Sequence, residues 1–288
     1  MSGRERLAMA FLTLHPDAAA RLLEGMPAGT ARAVLARAEP PLAAAVVDKM
    51  LATDAARCLE QLPPDAAAAI TAALGVPEAA AVIRHLPPAA REALLAAAAP
   101  QRAVALRLLL SYPPHTVGAW MDATALALPD DCPAGEARER VERERQEMRQ
   151  RIYVLDRWRR IRGAVPTPTL LRSASGKKLA ALVEPAPSLW AREPLASAQD
   201  SEVWERHADA PVVNRDHEYV GVLSYADLRR AQKQLAGQAP HAGANGAGAN
   251  GAAEVAELFA VGASTLWQGL ADFVGGNRAA GPEDGPAR

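Results

Sequence analysis

Proline returns through the first part of the chain at a nearly regular beat, at Pro16, Pro27, Pro40, Pro63, Pro77, Pro87 and Pro100. Proline suits the first turn of a helix and disrupts its interior, so a spacing of roughly a dozen residues forbids long helices and favours a new short one after each proline. One double gap is bridged by Thr53-Asp54. Alanine, leucine and valine fill the intervals at helical spacing, and whole phrases recur: PDAAARLLEGMP at 16–27, TDAARCLEQLPP at 53–64 and PEAAAVIRHLPP at 77–88. Each has an acid in its first turn, a face of small residues and a Leu/Met-Pro stop. Such helices cannot bury their faces alone, so residues 1–112 are expected to stack as an α-superhelix. Half of all residues are apolar but only 4% are aromatic. Alanine supplies much of that apolar share, and it buries little area per side chain.

The pattern changes after Ser111-Tyr112-Pro113-Pro114. GEARERVERERQEMRQR (135–151) reads as a charged helix with Glu136–Arg140 and Glu139–Arg143 pairs, most simply a solvated face. IYVLD (152–156), a turn and IRGAV (161–165) read as a β-hairpin, followed by a helix from about Pro168 to Leu182. The order then repeats: a helical SEVWERHA, APVVN (210–214), a turn, VGVLS (220–224) and the helix YADLRRAQKQL. Asp156 and Asn214 are 58 residues apart, and so are Gly163 and Gly221. A constant offset through strand, turn, strand and helix points to a tandem duplication. The turn DRWRRIRG (156–163) is basic and could bind phosphate, with Trp158 available to stack on a base. The neighbouring helix is equally rich in Glu, so an exposed hairpin is the plain expectation.

Residues 237–253, rich in Gly, Ala and Asn, read as a flexible linker. Beyond it, residues 254–276 place Leu258, Phe259, Leu266, Trp267, Leu270 and Phe273 on an amphipathic helix, and 277–288 read as a disordered tail. That helix has no Lys or Arg, so docking on a protein partner is preferred, with shallow membrane contact second.

The net charge of −1 argues against nucleic acid as a partner. Cys58 and Cys132 stand alone, which fits reduced thiols in a cytoplasmic protein. No signal peptide and no run of eighteen uncharged apolar residues are evident. The six histidines are scattered, none beside a plausible Ser or Cys nucleophile, so no enzymatic activity is expected.

The phrases YVLD…G and PVVN…GVLSYADL resemble a tandem CBS-domain pair, or Bateman module. Preceded by the DAA..LE.LPP array and the joint YPPHTVGAWM (112–121), they resemble the cytosolic N domain and CBS pair of MgtE-type magnesium transporters. The resemblance implies a multidomain α and α/β protein. The α-superhelix is followed by a CBS pair over 113–236, with units at 113–178 and 179–236. It also implies a homodimer formed through that pair and a soluble sensor that responds through its second unit. The alternative is a constitutive scaffold whose array resembles that of the flagellar switch protein FliG and whose CBS pair is degenerate. The family's multi-pass membrane domain has no counterpart here.

In CBS pairs a Gly-apolar-x-Ser/Thr-x-x-Asp run leads from the last strand into the helix. The resemblance therefore implies an adenine-nucleotide site at Gly221, Ser224 and Asp227, with phosphate at the helix start and ribose on the carboxylate. A Ser followed three residues later by Asp equally suits a helix cap. The first copy reads GAVPTPTL, with Pro166 and Thr169 at those places, so one nucleotide per chain is expected. The family's magnesium-binding acids are thinned: Asp54, Glu60 and Glu78 are the metal candidates, while Ala226 and Arg230 stand where carboxylates are expected. Mg2+ therefore ranks behind nucleotide as the ligand.

Overall fold

The computed structural model describes residues 3–143 and 150–237. Most of the linker at 237–253, the helix at 254–276 with its docking residues, and the tail at 277–288 lie outside the described residues. Nine short helices fill the first part of the described chain: α1 (Gly3–Leu14), α2 (Pro16–Glu24), α3 (Ala28–Leu35), α4 (Pro40–Val47), α5 (Ala52–Glu60), α6 (Pro64–Ala73), α7 (Val76–Ile83), α8 (Pro88–Ala97) and α9 (Pro100–Leu110). Proline occupies the first or second position of α2, α4, α6, α7, α8 and α9. Pro27, Pro63 and Pro87 sit immediately ahead of their helices with φ of −54°. The proline beat thus marks the helix starts, because a fixed φ and a missing N–H cost nothing there.

The chain divides into two compact units, one holding residues 1–74 and the other 75–237. In the first, α2 packs on α4, α4 on α6 and α3 on α5. Ala20, Ala31, Ala43 and Ala55 are fully buried and let the helices approach closely, with Leu35, Val47, Met50 and Leu59 filling between them. Glu24 Oε1 accepts the backbone N–H of Leu51 at 2.6 Å, satisfying a donor at the start of α5.

The division falls inside the helical array, whereas composition changes near Tyr112. Helices α7–α9 are tied to the joint and the sheets beyond it. The Arg84 guanidinium donates to the carbonyls of Leu109 and Tyr112, both at 3.0 Å, closing the end of α9. Along the joint, the N–H groups of Val117 and Gly118 donate to Glu193 and Ala191 carbonyls at 3.0 and 2.7 Å. Gly118 is needed there, since a Cβ would lie 2.7 Å from the Tyr112 ring.

The rest of the second unit is built twice. The first copy comprises β1 (Ala127–Pro129), α10 (Ala134–Arg143), β2 (Arg151–Leu155), β3 (Ile161–Pro166) and α11 (Thr167–Arg172). The second comprises β4 (Leu189–Trp190), α12 (Leu195–Gln199), α13 (Val203–Arg206), β5 (Asp209–Val213), β6 (Tyr219–Ser224) and α14 (Tyr225–Gly237). Each sheet has a short parallel strand, a central strand and an antiparallel hairpin partner, in that order. The 58-residue offset holds atom by atom. Val154 pairs with Gly163 as Val212 does with Gly221, and a register shift comes after each. Asp156 Oδ1 accepts the N–H of residues 158 and 160, and Asn214 Oδ1 those of 216 and 218, all at 2.9 Å. Arg159 and His217, again 58 apart, have φ of 62° and 61°.

Two details depart from the sequence reading. The helix expected over 168–182 stops at Arg172, where Ser173 turns extended and Arg138 donates to the Leu170 and Ser173 carbonyls at 3.0 and 2.9 Å. The charged helix is described to Arg143, and Arg151 opens β2 instead of closing that helix. Its two predicted pairs form, Glu136–Arg140 at 2.6 Å and Glu139–Arg143 at 3.0 Å.

The copies exchange their leading segments. Asp122, ahead of the first sheet, pairs with Val222 on the second through two backbone hydrogen bonds of 2.7 and 3.0 Å. Glu184, ahead of the second sheet, pairs with Ala164 on the first at 2.8 and 3.0 Å. Each crossing passes over a glycine. A Cβ on Gly163 would lie 2.2 Å from the Glu184 carbonyl oxygen, and one on Gly221 would lie 2.7 Å from that of Asp122. Between the sheets, Tyr153 from one copy and Tyr219 and Val222 from the other share a buried cluster.

Candidate functional site

The two strand-to-helix joints face a common open cleft of about 1060 Å³. Pro166, Thr167 and Pro168 line it from the first copy, and Ser224, Ala226 and Asp227 from the second. Its inner wall is made by the starts of the two central strands. Arg151 opens β2 and Asp209 opens β5, which are equivalent positions in the duplication. The duplication therefore brings them face to face: Arg151 Nη2 is 3.7 Å from Asp209 Oδ1 and donates to the Asp209 carbonyl at 3.2 Å. Tyr153 donates its hydroxyl to Asp209 Oδ1 at 2.7 Å, fully buried. Burial, with the Asp209 carboxylate beside it, pushes the Tyr153 phenol well up, so it stays a donor.

Arg151 Nη1 also lies 3.3 Å from His207 Nε2. An arginine can only donate, so His207 accepts there and presents a neutral ring. Burial first and the Arg151 charge second push its pKa below the ordinary value. A buried ion pair flanked by a tyrosine and a neutral histidine gives little net stability, but losing one partner strands a charge.

At the second joint, Ser224 Oγ accepts the Asp227 N–H at 3.0 Å and donates to Asp227 Oδ2 at 2.5 Å. The pair thus caps α14 and still faces the cleft, where Arg206 and Arg230 supply positive charge. Arg230 is shared. Its guanidinium binds Glu78 on α7 and lies 3.9 Å from Asp227 Oδ1. At the start of α14 the Tyr225 N–H is taken by the Ala208 carbonyl and the Asp227 N–H by Ser224 Oγ, so what the cleft offers an anion bearing hydroxyl groups is two arginines beside a carboxylate.

Of the residues singled out in the sequence, Ser224 and Asp227 line the cleft. Gly221 does not, and its lack of a side chain serves the Asp122 crossing. Asp54 pairs with Arg57 on its own helix, Glu60 is exposed, and Glu78 is engaged by Arg230. Among the described residues no group of three His, Cys, Asp or Glu side chains could hold a metal ion. Sequence reasoning missed Arg151, Arg206, His207 and Asp209. The offset held a signal for one pair, since Arg151 and Asp209 are opposite charges at equivalent positions, and a duplicated unit facing its copy brings such positions together. Among the described residues no helix is long and apolar enough to cross a membrane.

Residues 14–115 match the family model described as the MgtE intracellular N domain. No curated protein matches the sequence. Among solved structures, the cytosolic domain of the Mg2+ channel MgtE in complex with ATP is similar, at a TM-score of 0.69 and 19% identity, over 77% of this chain and 92% of that one. The soluble part of a magnesium transporter is similar at a TM-score of 0.57 and 14% identity, over 81% and 98%. The cystathionine beta-synthase pair domain of a putative Mg2+ transporter from Shewanella oneidensis is matched at a TM-score of 0.45 and 20% identity, over 58% and 96%. Over residues 14–115 the chain thus matches the MgtE intracellular N domain, and over 77% of its length it shares the fold of the MgtE cytosolic domain, two small mixed sheets following the helical array.

Proposed function

We propose that this protein is a cytoplasmic regulatory switch, not an enzyme, and that its cleft takes one adenine nucleotide per chain. The observation that carries the reading is the Ser224–Asp227 pair at the start of α14, opening onto a cleft large enough for a nucleotide and flanked by Arg206 and Arg230. Phosphate would lie toward the arginines, and the Asp227 carboxylate would accept ribose hydroxyls. The ATP complex of the similar MgtE cytosolic domain supports the choice of ligand class. Mg2+ alone is the weaker candidate, because Glu78 already neutralises Arg230 and Asp54 pairs with Arg57. In this reading the chain acts as a homodimer, and residues 254–276 dock on a protein partner.

Isothermal titration with ATP, AMP and Mg2+ tests the proposal. Binding of either nucleotide with one site per chain is expected, and Asp227→Ala should abolish it with an unchanged circular dichroism spectrum. A second reading draws on the same geometry: both Ser224 and Asp227 are used in capping α14, as a ligand-free scaffold would use them. Silence for all three ligands, with Asp227→Ala lowering only stability, establishes that scaffold. Light scattering checks the dimer. Deleting 254–276 should lose a co-purifying partner, and an unchanged set of partners counts against docking.

A further inference from the structure

The duplication contains its own control for one surface. The hairpin turns at 156–160 and 214–218 have the same hydrogen bonds, the same left-handed residue and the same register. They lie side by side, since the Tyr219 N–H donates to the Arg159 carbonyl at 2.9 Å and Arg160 bridges to Glu218. Their side chains differ at every position but the first, which is arginine in both. The second turn reads Arg215-Asp216-His217-Glu218, and the first reads Arg157-Trp158-Arg159-Arg160. Folding this turn thus requires neither an indole nor three arginines, as the polar copy shows.

Trp158 is nonetheless 57% exposed, with the Arg157 guanidinium stacked 3.8 Å from its ring centroid. A second indole, Trp190, is 45% exposed and packs edge-on against His217 of the neighbouring turn, 5.0 Å between centroids. Two exposed indoles and the arginines of the first turn thus gather at one end of the sheet pair, and none of them lines the cleft.

We propose that this end is a docking surface for an acidic phospholipid bilayer. Indoles settle at the headgroup level of a bilayer, and each basic side chain near an anionic membrane adds attraction that fades within a Debye length. A chain of net charge −1 has no long-range pull on polyanions, so its positive charge acts only at contact, which suits a surface. Single-stranded nucleic acid, the other ligand of Arg and Trp together, is bound along grooves that track its backbone, whereas these are turn tips.

The test is sedimentation of the full chain with phosphatidylglycerol/phosphatidylcholine vesicles against pure phosphatidylcholine, at near-physiological salt. The triple variant W158D/R159H/R160E, made on a D156N background, writes the whole second turn, including the Asn214 amide that donates to Glu218, into the first, so its folding is already exemplified in the same molecule. The parent should partition onto anionic vesicles and weaken with added salt. The triple variant should lose at least tenfold, and Trp190→Ala should lose several-fold. Equal partition onto both vesicles, or a triple variant that binds like its parent, overturns the proposal. So does displacement of the protein from anionic vesicles by an equal charge of single-stranded oligonucleotide that the triple variant no longer binds. None of these results depends on nucleotide binding in the cleft.

Discussion

Gly163→Ala probes the crossing of the two copies most directly. Gly163 has φ of 148°, where an L side chain is strained, and the new methyl would lie 2.2 Å from the Glu184 carbonyl oxygen. The strain costs about 1–3 kcal/mol. Relieving the clash means moving residues 183–184 by roughly an ångström, which forfeits the two Ala164–Glu184 hydrogen bonds at about 0.5–1.5 kcal/mol each. A smaller unfolded-state entropy returns about 0.4–1 kcal/mol. The expected net loss is about 1–6 kcal/mol, or a Tm lower by roughly 2–24 °C for a unit of this size. Gly221→Ala meets Asp122 less severely and without the unusual φ, so it should lose about 1–2 kcal/mol. Urea unfolding monitored by tryptophan fluorescence is a suitable assay, because Trp120, Trp158, Trp190 and Trp204 all lie within 75–237. Equal stability of Gly163→Ala and the parent would refute the reasoning, as would a larger effect at Gly221.

Asp209→Ala should destabilise the same unit by about 3–5 kcal/mol, because it strands the Arg151 charge, whereas Tyr153→Phe should cost about 1–3 kcal/mol; urea midpoints separate the two. His207 has its pKa lowered in the folded state, so its neutral form is favoured there. Its contribution is therefore present above about pH 6.5 and is lost as pH falls below that, when a proton would add charge beside Arg151 and Arg206. Proton NMR should place its midpoint below that of an exposed histidine, and His207→Gln should flatten this part of the stability profile. Glu78→Gln frees the Arg230 guanidinium for the cleft, and since Arg230 is 37% exposed the gain is modest. ATP affinity should rise by up to roughly fivefold, the scale of a half-exposed ion pair, and an unchanged calorimetric Kd would show that Arg230 does not reach the ligand. Ser224→Ala removes the α14 cap and should cost about 1 kcal/mol, read from the thermal midpoint.

The order of elements was legible in residue spacing alone. Within a helix proline is tolerated only in the first turn, so the beat of prolines marked where the short helices begin. Asp156 and Asn214 form the same side-chain-to-backbone turn, so their offset carried the two hairpins. Strands β1 and β4 were not legible, because three- and two-residue strands leave no alternation to read. Hidden too was the partner of the last α11 carbonyls, since Arg138 reaches them from more than thirty residues earlier. For the cleft, the Ser224–Asp227 spacing was visible, as a local motif always is. The pairing of Arg151 with Asp209 depends on one copy facing the other, and the linkage of Arg230 to Glu78 spans 152 residues. By itself, then, the sequence determined the local elements and the fact of duplication, which are set by φ, turn chemistry and periodicity. Only the tertiary structure decided which glycine yields to a crossing backbone and which charges meet, because those are contacts between segments distant along the chain.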